Sequence, residues 1–185
     1  MKIEIATVAV MMTLAGCGRR DSPRVITPQK MADGLYAVMA ADRAVYAREV
    51  VARLQDEENV IHASEHYRDD KALPLPAEMF RMGAEAAQRT DPGFTYALLS
   101  PWPINKQNAP RTEVEQAGLR HAAETGQSYY DTELLGGQQY FTAVYPDKAV
   151  SETCASCHNA HRDSPRHDFK VGDVMGGVVI RILLK

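Results

Sequence analysis

Five consecutive residues near the C-terminus carry the side chains with the most distinctive chemistry in this chain. Two cysteines stand two residues apart and a histidine directly follows the second, in the order Cys154-Ala155-Ser156-Cys157-His158. This spacing is the attachment signature of c-type haem. Two thiols in this arrangement reach the two vinyl groups on one edge of the porphyrin, and the adjacent imidazole turns under the ring to bind the iron. The sequence therefore predicts one covalent haem c, held by Cys154, Cys157 and His158 in a single irregular turn.

Two other kinds of site use the same pair of cysteines. Together with two of His158, His161 and His167, they would form a tetrahedral zinc site with two thiolates and two imidazoles. A Cys-x-x-Cys pair can also be a redox dithiol, but such pairs open a helix after a buried strand within a βαβ unit. Residues 144–147 instead predict a strand that ends in a loop. We therefore favour haem over zinc, and zinc over a redox dithiol.

The first residues of the chain have the features of an export signal. Residues 5–14 form an apolar run that is too short to span a bilayer. The run ends in the sequence LAGC, which resembles the lipobox of bacterial lipoproteins, in which the cysteine is acylated and becomes the mature N-terminus. We therefore predict a signal peptide over residues 1–16 and a lipid anchor on Cys17. An ordinary signal peptide is the alternative.

The predicted export agrees with the haem motif. Haem is attached to such motifs outside the cytoplasmic membrane, and an exported pair of thiols without a partner tends to oxidise. Several acyl chains on one cysteine hold a protein stably at a membrane surface. Gly18 rather than aspartate follows the cysteine, which in Gram-negative lipoproteins usually directs export to the outer membrane. We expect a periplasmic protein anchored to the outer membrane rather than to the inner one.

Composition and charge indicate one domain that does not bind nucleic acid. The net charge is −3 at pH 7, and no basic tract stands out. Residues 17–26 form a short tether, and residues 27–185 are numerous enough for one domain with its own core. The expected partners are therefore a membrane, reached through the lipid, and a periplasmic redox or signalling protein.

Hydrophobic periodicity and turn residues predict both helices and strands. Thr27-Pro28 opens a long amphipathic helix, and Thr112 and Glu115 form a capping box for a later one. Two adjacent glycines at 136 and 137 form the turn of a β-hairpin. The predicted helices cover residues 27–58, 77–88 and 112–125, and the predicted strands cover residues 94–99, 128–134, 139–145 and 176–182. This order indicates an α+β domain in which the helices pack to one side of a small antiparallel sheet.

Three segments of the C-terminal half resemble a known family, the PAS-like single-haem c-type domains. They are the strand YFTAVYP before the haem motif, the segment KVGDVMGG after it, and an earlier strand that ends in LLS and is followed by NKQNAP. Such domains occur as periplasmic sensor modules of bacterial histidine kinases and chemoreceptors, and as free-standing haem proteins. The resemblance implies a PAS-like fold with the haem between the sheet and the long N-terminal helices. Tyr140 and Tyr145, with Phe141 and Trp102, are the aromatic residues that would supply the apolar wall around the haem.

The same resemblance implies where the second axial ligand of the iron lies. Members of the family use a methionine or a cysteine from the helical region. The segment PAEM, which ends at Met79, is similar to the stretch that carries the methionine, so we predict Met79 as this ligand. Met82, His62, His66 and an open coordination position are the alternatives.

The second axial ligand decides the function. Methionine and histidine together raise the reduction potential and favour electron transfer, whereas an open position in an apolar pocket favours binding of a diatomic gas. The chain ends directly after the last predicted strand, so we expect no attached kinase domain and favour electron transfer over sensing. The rival is a haem enzyme, a peroxidase or an oxidase of small nitrogen compounds, with Glu65 and His62 or His66 as its acid and base groups. We expect a carrier or a sensor rather than an enzyme.

Overall fold

The structure, a computed structural model, describes residues 25–184 as helices on both faces of an antiparallel sheet. The predicted signal peptide and Cys17 lie outside the described residues. The described helices are α1 (Pro28–Val45), a π-helical segment (Tyr46–Glu57), α2 (Pro76–Gln88), a short 3₁₀ turn (Lys106–Asn108), α3 (Glu113–Thr125) and α4 (Glu152–Ala160). The described strands are β1 (Ala63–Ser64), β2 (Leu73–Pro74), β3 (Phe94–Leu99), β4 (Tyr129–Leu135), β5 (Gln138–Lys148) and β6 (Val174–Leu183). The predicted α+β class is confirmed.

The long N-terminal helix begins and ends where the sequence predicts, but its second part is wound differently. Thr27 caps α1 by accepting a hydrogen bond from the backbone of Lys30 at 3.2 Å. The helix continues without a break into the π-helical segment, and at its end the backbone N–H of Glu58 donates to the carbonyl of Arg53, five residues earlier. A π-helical turn holds more residues than an α-helical turn, so side chains shift around the axis. No helix within residues 25–184 is long and apolar enough to cross a membrane.

The main sheet has four antiparallel strands in the order β3-β6-β5-β4. The hairpin between β4 and β5 turns at Gly136 and Gly137, as predicted, and both have positive φ angles, 57° and 80°. A two-residue turn of this kind requires positive φ at both positions, which glycine adopts without a steric cost. β5 and β6 are the two central strands, and their pairing becomes irregular at Asp147 and Lys148.

Helices cover both faces of this sheet, so the expectation that all helices pack to one side is wrong for α3. On one face, Tyr145 and Ile180 pack with Phe80 of α2 and with α1, as predicted for the N-terminal helices. On the other face, Val144 and Val179 pack with Leu119 of α3. The central strands carry apolar residues at consecutive positions, and strands of this kind need cover on both faces.

A buried ionic network ties α3 to the sheet. Arg181 on β6 donates to Glu115 at 2.5 Å and to Glu133 at 2.7 Å, and Thr142 donates to the same Glu133 oxygen at 2.7 Å. The other carboxylate oxygen of Glu115 accepts from the backbone of Thr112 at 3.0 Å, which is the predicted capping box. One carboxylate therefore both caps α3 and binds the sheet.

We expect this network to make stability depend on pH below neutrality. Burial by itself raises the pKa of Glu133, but hydrogen bonds from Thr142 and Arg181 outweigh burial, and the net pKa is lower than usual. A carboxyl whose pKa is depressed by folding contributes stability above its unfolded pKa of about 4.3 and loses it as the pH falls through the folded pKa.

Replacing Glu133 with glutamine should lower the free energy of unfolding at pH 7 by about 2 kcal/mol, because hydrogen bonds to a charged group are lost. It should also reduce the loss of unfolding free energy as the pH falls below neutrality, measured by urea unfolding at a series of pH values. Glu124→Gln, on the exposed side of α3, is the matched control and should do neither. Equal pH profiles for the wild-type protein and the Glu133 variant would contradict the assignment.

Close packing between β6 and β3 gives a second prediction. A Cβ atom at Gly176 would overlap the backbone carbonyl oxygen of Leu99, which cannot move away as a side chain can. Gly176→Ala should therefore lower the free energy of unfolding by about 1–3 kcal/mol in denaturant titrations.

Gly34 lies in the middle of α1, and no atom lies within 4 Å of the place that a Cβ atom on this residue would take. Gly34→Ala should raise stability by up to about 1 kcal/mol, since alanine is the better helix former.

Candidate functional site

The two cysteines and the following histidine lie on a regular helix, α4, and not in the irregular turn that the sequence predicts. Ser151 caps this helix, and its hydroxyl accepts from the backbone of Cys154 at 3.4 Å. Residues three and four apart on a helix share a face. Cys154, Cys157 and His158 have this spacing, so α4 presents two thiols and an imidazole on one side.

One side of the motif packs on a small apolar cluster, which we call the Phe169 cluster. Its buried members are Ala149, Ala155, Phe169 and Met175, and Trp102 and Cys154 pack against them. The His158 ring meets the Phe169 ring edge to face, with centroids 6.0 Å apart. The guanidinium of Arg166 lies 4.7 Å from the Trp102 ring centroid and 4.4 Å from the Phe169 ring centroid. The cluster thus fixes the imidazole and shields it from water on that side.

A buried ion pair joins the end of α1 to the end of β5, the strand that leads into the motif. Arg43 at the end of α1 donates through both Nη atoms to the two carboxylate oxygens of Asp147, and the Nη2 contact is 3.0 Å. These side chains are only 17% and 15% exposed. The Nε atom of Arg43 is buried and has no hydrogen-bond partner within the described part of the chain. The charges of both partners influence His158, and the charge of Arg43 also interacts with Cys154.

The electrostatics favour the neutral forms of His158 and Cys157. Burial lowers the pKa of His158, and His161 and Arg43 add to this effect while Asp147 opposes it. Burial also raises the pKa of Cys157, with Cys154 and Glu65 adding to the rise. Neutral imidazole is the form that binds metals. Redox dithiols contain a cysteine of lowered pKa, and Cys157 is not such a cysteine.

The connection between β5 and β6 also bears on the redox dithiol. The cysteine pair does open a helix after a buried strand, contrary to the loop that the sequence predicts. However, β5 and β6 are antiparallel neighbours, so this helix is not the crossover of a βαβ unit. The topology therefore still argues against a dithiol site.

Two of the three histidines of the zinc alternative, His161 and His167, have one ring nitrogen in a hydrogen bond. The Nδ1 atom of His167 is hydrogen bonded to the carbonyl of Asn159 at 2.8 Å, and Nδ1 of His161 accepts from the backbone of Asp163 at 3.1 Å. Among residues 25–184, no group of three or more His, Cys, Asp or Glu side chains is arranged to hold a metal ion.

The segment that contains His62 and His66 lies next to α4 through Glu65. Thr153 on α4 donates to Asp56 at 2.5 Å, and Nε2 of His161 lies 3.9 Å from a carboxylate oxygen of Glu65. Both His62 and His66 are exposed. The structure therefore brings Glu65 to the end of α4, and Nε2 of His66 lies 3.7 Å from the same Glu65 oxygen.

The methionine candidates lie on a different helix. Met79 and Met82 are half-buried on α2, and Met82 accepts a hydrogen bond from the hydroxyl of Tyr67 at 3.4 Å. This helix packs against β3, α1 and the π-helical segment. Within the described range, no hydrogen bond or ion pair joins α2 to α4.

The two tyrosines predicted to line the haem are far apart along β5. Tyr145 is buried, stacks on Tyr36 with ring centroids 4.1 Å apart, and donates to Asp33 at 2.7 Å. Tyr140 donates to Gln138 at 3.0 Å near the start of the strand. It is eight residues from the end of β5 that leads into α4, a span of about 26 Å in an extended strand. The structure brings Tyr145 nearer to α4 and does not bring Tyr140 there.

The residues of the site fit a c-type haem. The two thiols and the neutral imidazole share one helix face, and Cys157 is exposed for attachment. A buried arginine beside them has an unused donor. Sequence analysis missed Arg43, Asp147 and Phe169 as parts of this site. Arg43 is separated from its partner by more than a hundred residues, and no local pattern links them.

Comparisons with known proteins identify the family of this chain. The family model described as Tll0287-like matches residues 26–182 of the chain. The crystal structure of the cyanobacterial heme-protein Tll0287 is similar, with a TM-score of 0.55 and 16% sequence identity, over 86% of this chain and 98% of that one. No curated protein matches this chain. Because the family model spans nearly the whole described domain, the chain belongs to the Tll0287-like family of proteins.

Proposed function

We propose that this protein is a monohaem c-type cytochrome with a PAS-like fold. The observation that carries the proposal is the single face of α4 that presents Cys154, Cys157 and His158. The similarity to a cyanobacterial heme-protein supports a haem cofactor. The family thus supports haem binding, and covalent attachment is inferred from the motif.

Each residue of the motif has a role in this proposal. Cys154 and Cys157 would hold the porphyrin through thioether bonds, and His158 would bind the iron. Haem c, when bound, supplies one-electron iron chemistry. The Phe169 cluster holds the imidazole in one orientation through the edge-to-face ring contact. It also excludes water from that side, which lowers the local dielectric constant.

Electron transfer is the function that this geometry supports best. Cys157 is exposed whereas Cys154 packs against the Phe169 cluster, so one edge of the haem would lie at the protein surface. A surface edge lets a redox partner approach closely. Sensing of a diatomic gas is the second candidate, and an open coordination position would favour it. A peroxidase or an oxidase of small nitrogen compounds is the third, and the position of Glu65 beside His161 is the observation that favours it.

The place of action is part of the same proposal. A lipid on Cys17 would anchor the protein on the periplasmic side of the membrane, with the outer membrane favoured over the inner one. A periplasmic redox or signalling protein would then be its partner. The support for this placement is the sequence LAGC and the need of c-type haem attachment for an exported chain.

We expect covalent haem in the protein produced in a host that matures c-type cytochromes. Replacing both Cys154 and Cys157 with alanine should abolish the haem that remains bound after denaturation, measured by absorption of the denatured protein. Cys17→Ala is the matched control and should keep its haem. Release of that control variant from membranes would support the lipid anchor. A colourless wild-type protein would contradict the proposed function.

The distal side of the iron gives a separate prediction. We propose Met79 as the distal ligand, and Met82, His62, His66 and an open position are the alternatives. Met79→Ala should keep the haem, lower the reduction potential, and let carbon monoxide shift the reduced spectrum, because methionine ligation raises the potential. An unchanged spectrum and potential in that variant would exclude Met79.

Parallel His62→Ala and His66→Ala variants show whether a histidine is the ligand instead. Prompt carbon monoxide binding by the wild-type protein would indicate an open position and favour sensing. Turnover of peroxide or hydroxylamine by the wild-type protein would favour the enzyme.

A further inference from the structure

We propose that the buried ion pair between Arg43 and Asp147 is part of the haem site and sets its reduction potential. The inference rests on the proposed function, since it requires a haem on α4. The pair is not part of the attachment motif. It lies on two other elements of the fold, the end of α1 and the end of β5.

The position of the pair supports this role. Asp147 stands five residues before the first residue of α4, at the irregular end of the β5–β6 pairing. The pair joins the end of α1 to the end of β5, the strand that leads into α4, so it is tied to the segment that carries the attachment motif. Both side chains are more than four-fifths buried, so solvent and salt screen them weakly.

The Arg43 guanidinium has a donor that the protein leaves unused. Its two Nη atoms are occupied by Asp147, while Nε is buried without a partner among the described residues. Buried donors without an acceptor are rare in folded proteins, because their desolvation is not compensated. A haem carboxylate is an acceptor of the kind that arginine binds well. A bound haem would therefore supply an acceptor for the Nε atom of Arg43, which has no partner among the described residues.

The pair is neutral as a whole, and this gives a signed expectation. Ferric iron carries one more positive charge than ferrous iron. If Arg43 is neutralised, the carboxylate of Asp147 remains alone, stabilises the ferric state and lowers the potential. If Asp147 is neutralised, the Arg43 guanidinium remains alone and raises the potential. A purely structural role would not produce shifts of opposite sign.

The test compares haem-loaded, full-length variants by spectroelectrochemical titration. Arg43→Gln should lower the potential and Asp147→Asn should raise it, each by about tenfold or more in the reduction equilibrium, which is about 59 mV for a one-electron couple. The double variant should return close to the wild-type value, because it restores neutrality. Arg120→Gln removes the same charge from the exposed face of α3, on the other side of the sheet, and should leave the potential unchanged.

Shifts of the same sign in the two single variants, or shifts no larger than in Arg120→Gln, overturn the inference. If a single variant does not fold, it is repeated in the Gly34→Ala background, which is expected to be more stable. If only one single variant folds, the sign of its shift decides. An unshifted potential in a haem-loaded single variant overturns this inference alone. Absence of covalent haem from the wild-type protein overturns the proposed function and the inference together.

Discussion

Burial of β5 and β6 on both faces is the constraint on which the rest of this structure depends. The two central strands pair along most of their length, and their apolar side chains point alternately to opposite faces. The helices α1 and α2 cover the apolar side chains of one face and α3 covers those of the other, so both groups of helices are needed. The Arg181 network then fixes α3 in place, since a buried guanidinium needs both Glu115 and Glu133 as partners.

The same two strands hold the candidate site. The chain between them, from residue 149 to residue 173, is closed at its base by hydrogen bonds from Ala149 to Asp173 and from Gly172 to Ala149, both 2.9 Å. Within it, the side chain of Asn159 binds both the backbone N–H and the carbonyl of Phe169, each at 2.9 Å. This double contact joins the end of α4 to the ring on which His158 packs. A functional side chain is held best by supports that are themselves rigid, and the site has that design.

Charge and burial act together around the motif. The Phe169 cluster removes water from one side of His158, and the Arg43–Asp147 pair adds compensating charges on another. Glu65 and His161 add a second, more exposed ionic contact near the end of α4. The apolar side thus holds the imidazole, while the polar sides determine the electrostatic environment of the attachment face. In the proposed haem site, this division would let different neighbours set the orientation of the imidazole and the reduction potential.

The sequence by itself determined the features that depend on neighbours within a few residues. Thr27 and Thr112 mark helix starts, two glycines mark the hairpin, and the spacing of Cys154 to His158 indicates the chemistry. Only the tertiary structure decided which sheet face α3 covers, that the motif is helical, that α1 continues as a π-helix, and that Arg43 meets Asp147. These features depend on contacts between residues that are distant along the chain, or on packing that overrides local preference. A turn or a cap has its physical cause in adjacent residues and therefore shows in the sequence. An ion pair across 104 positions has its cause in the fold.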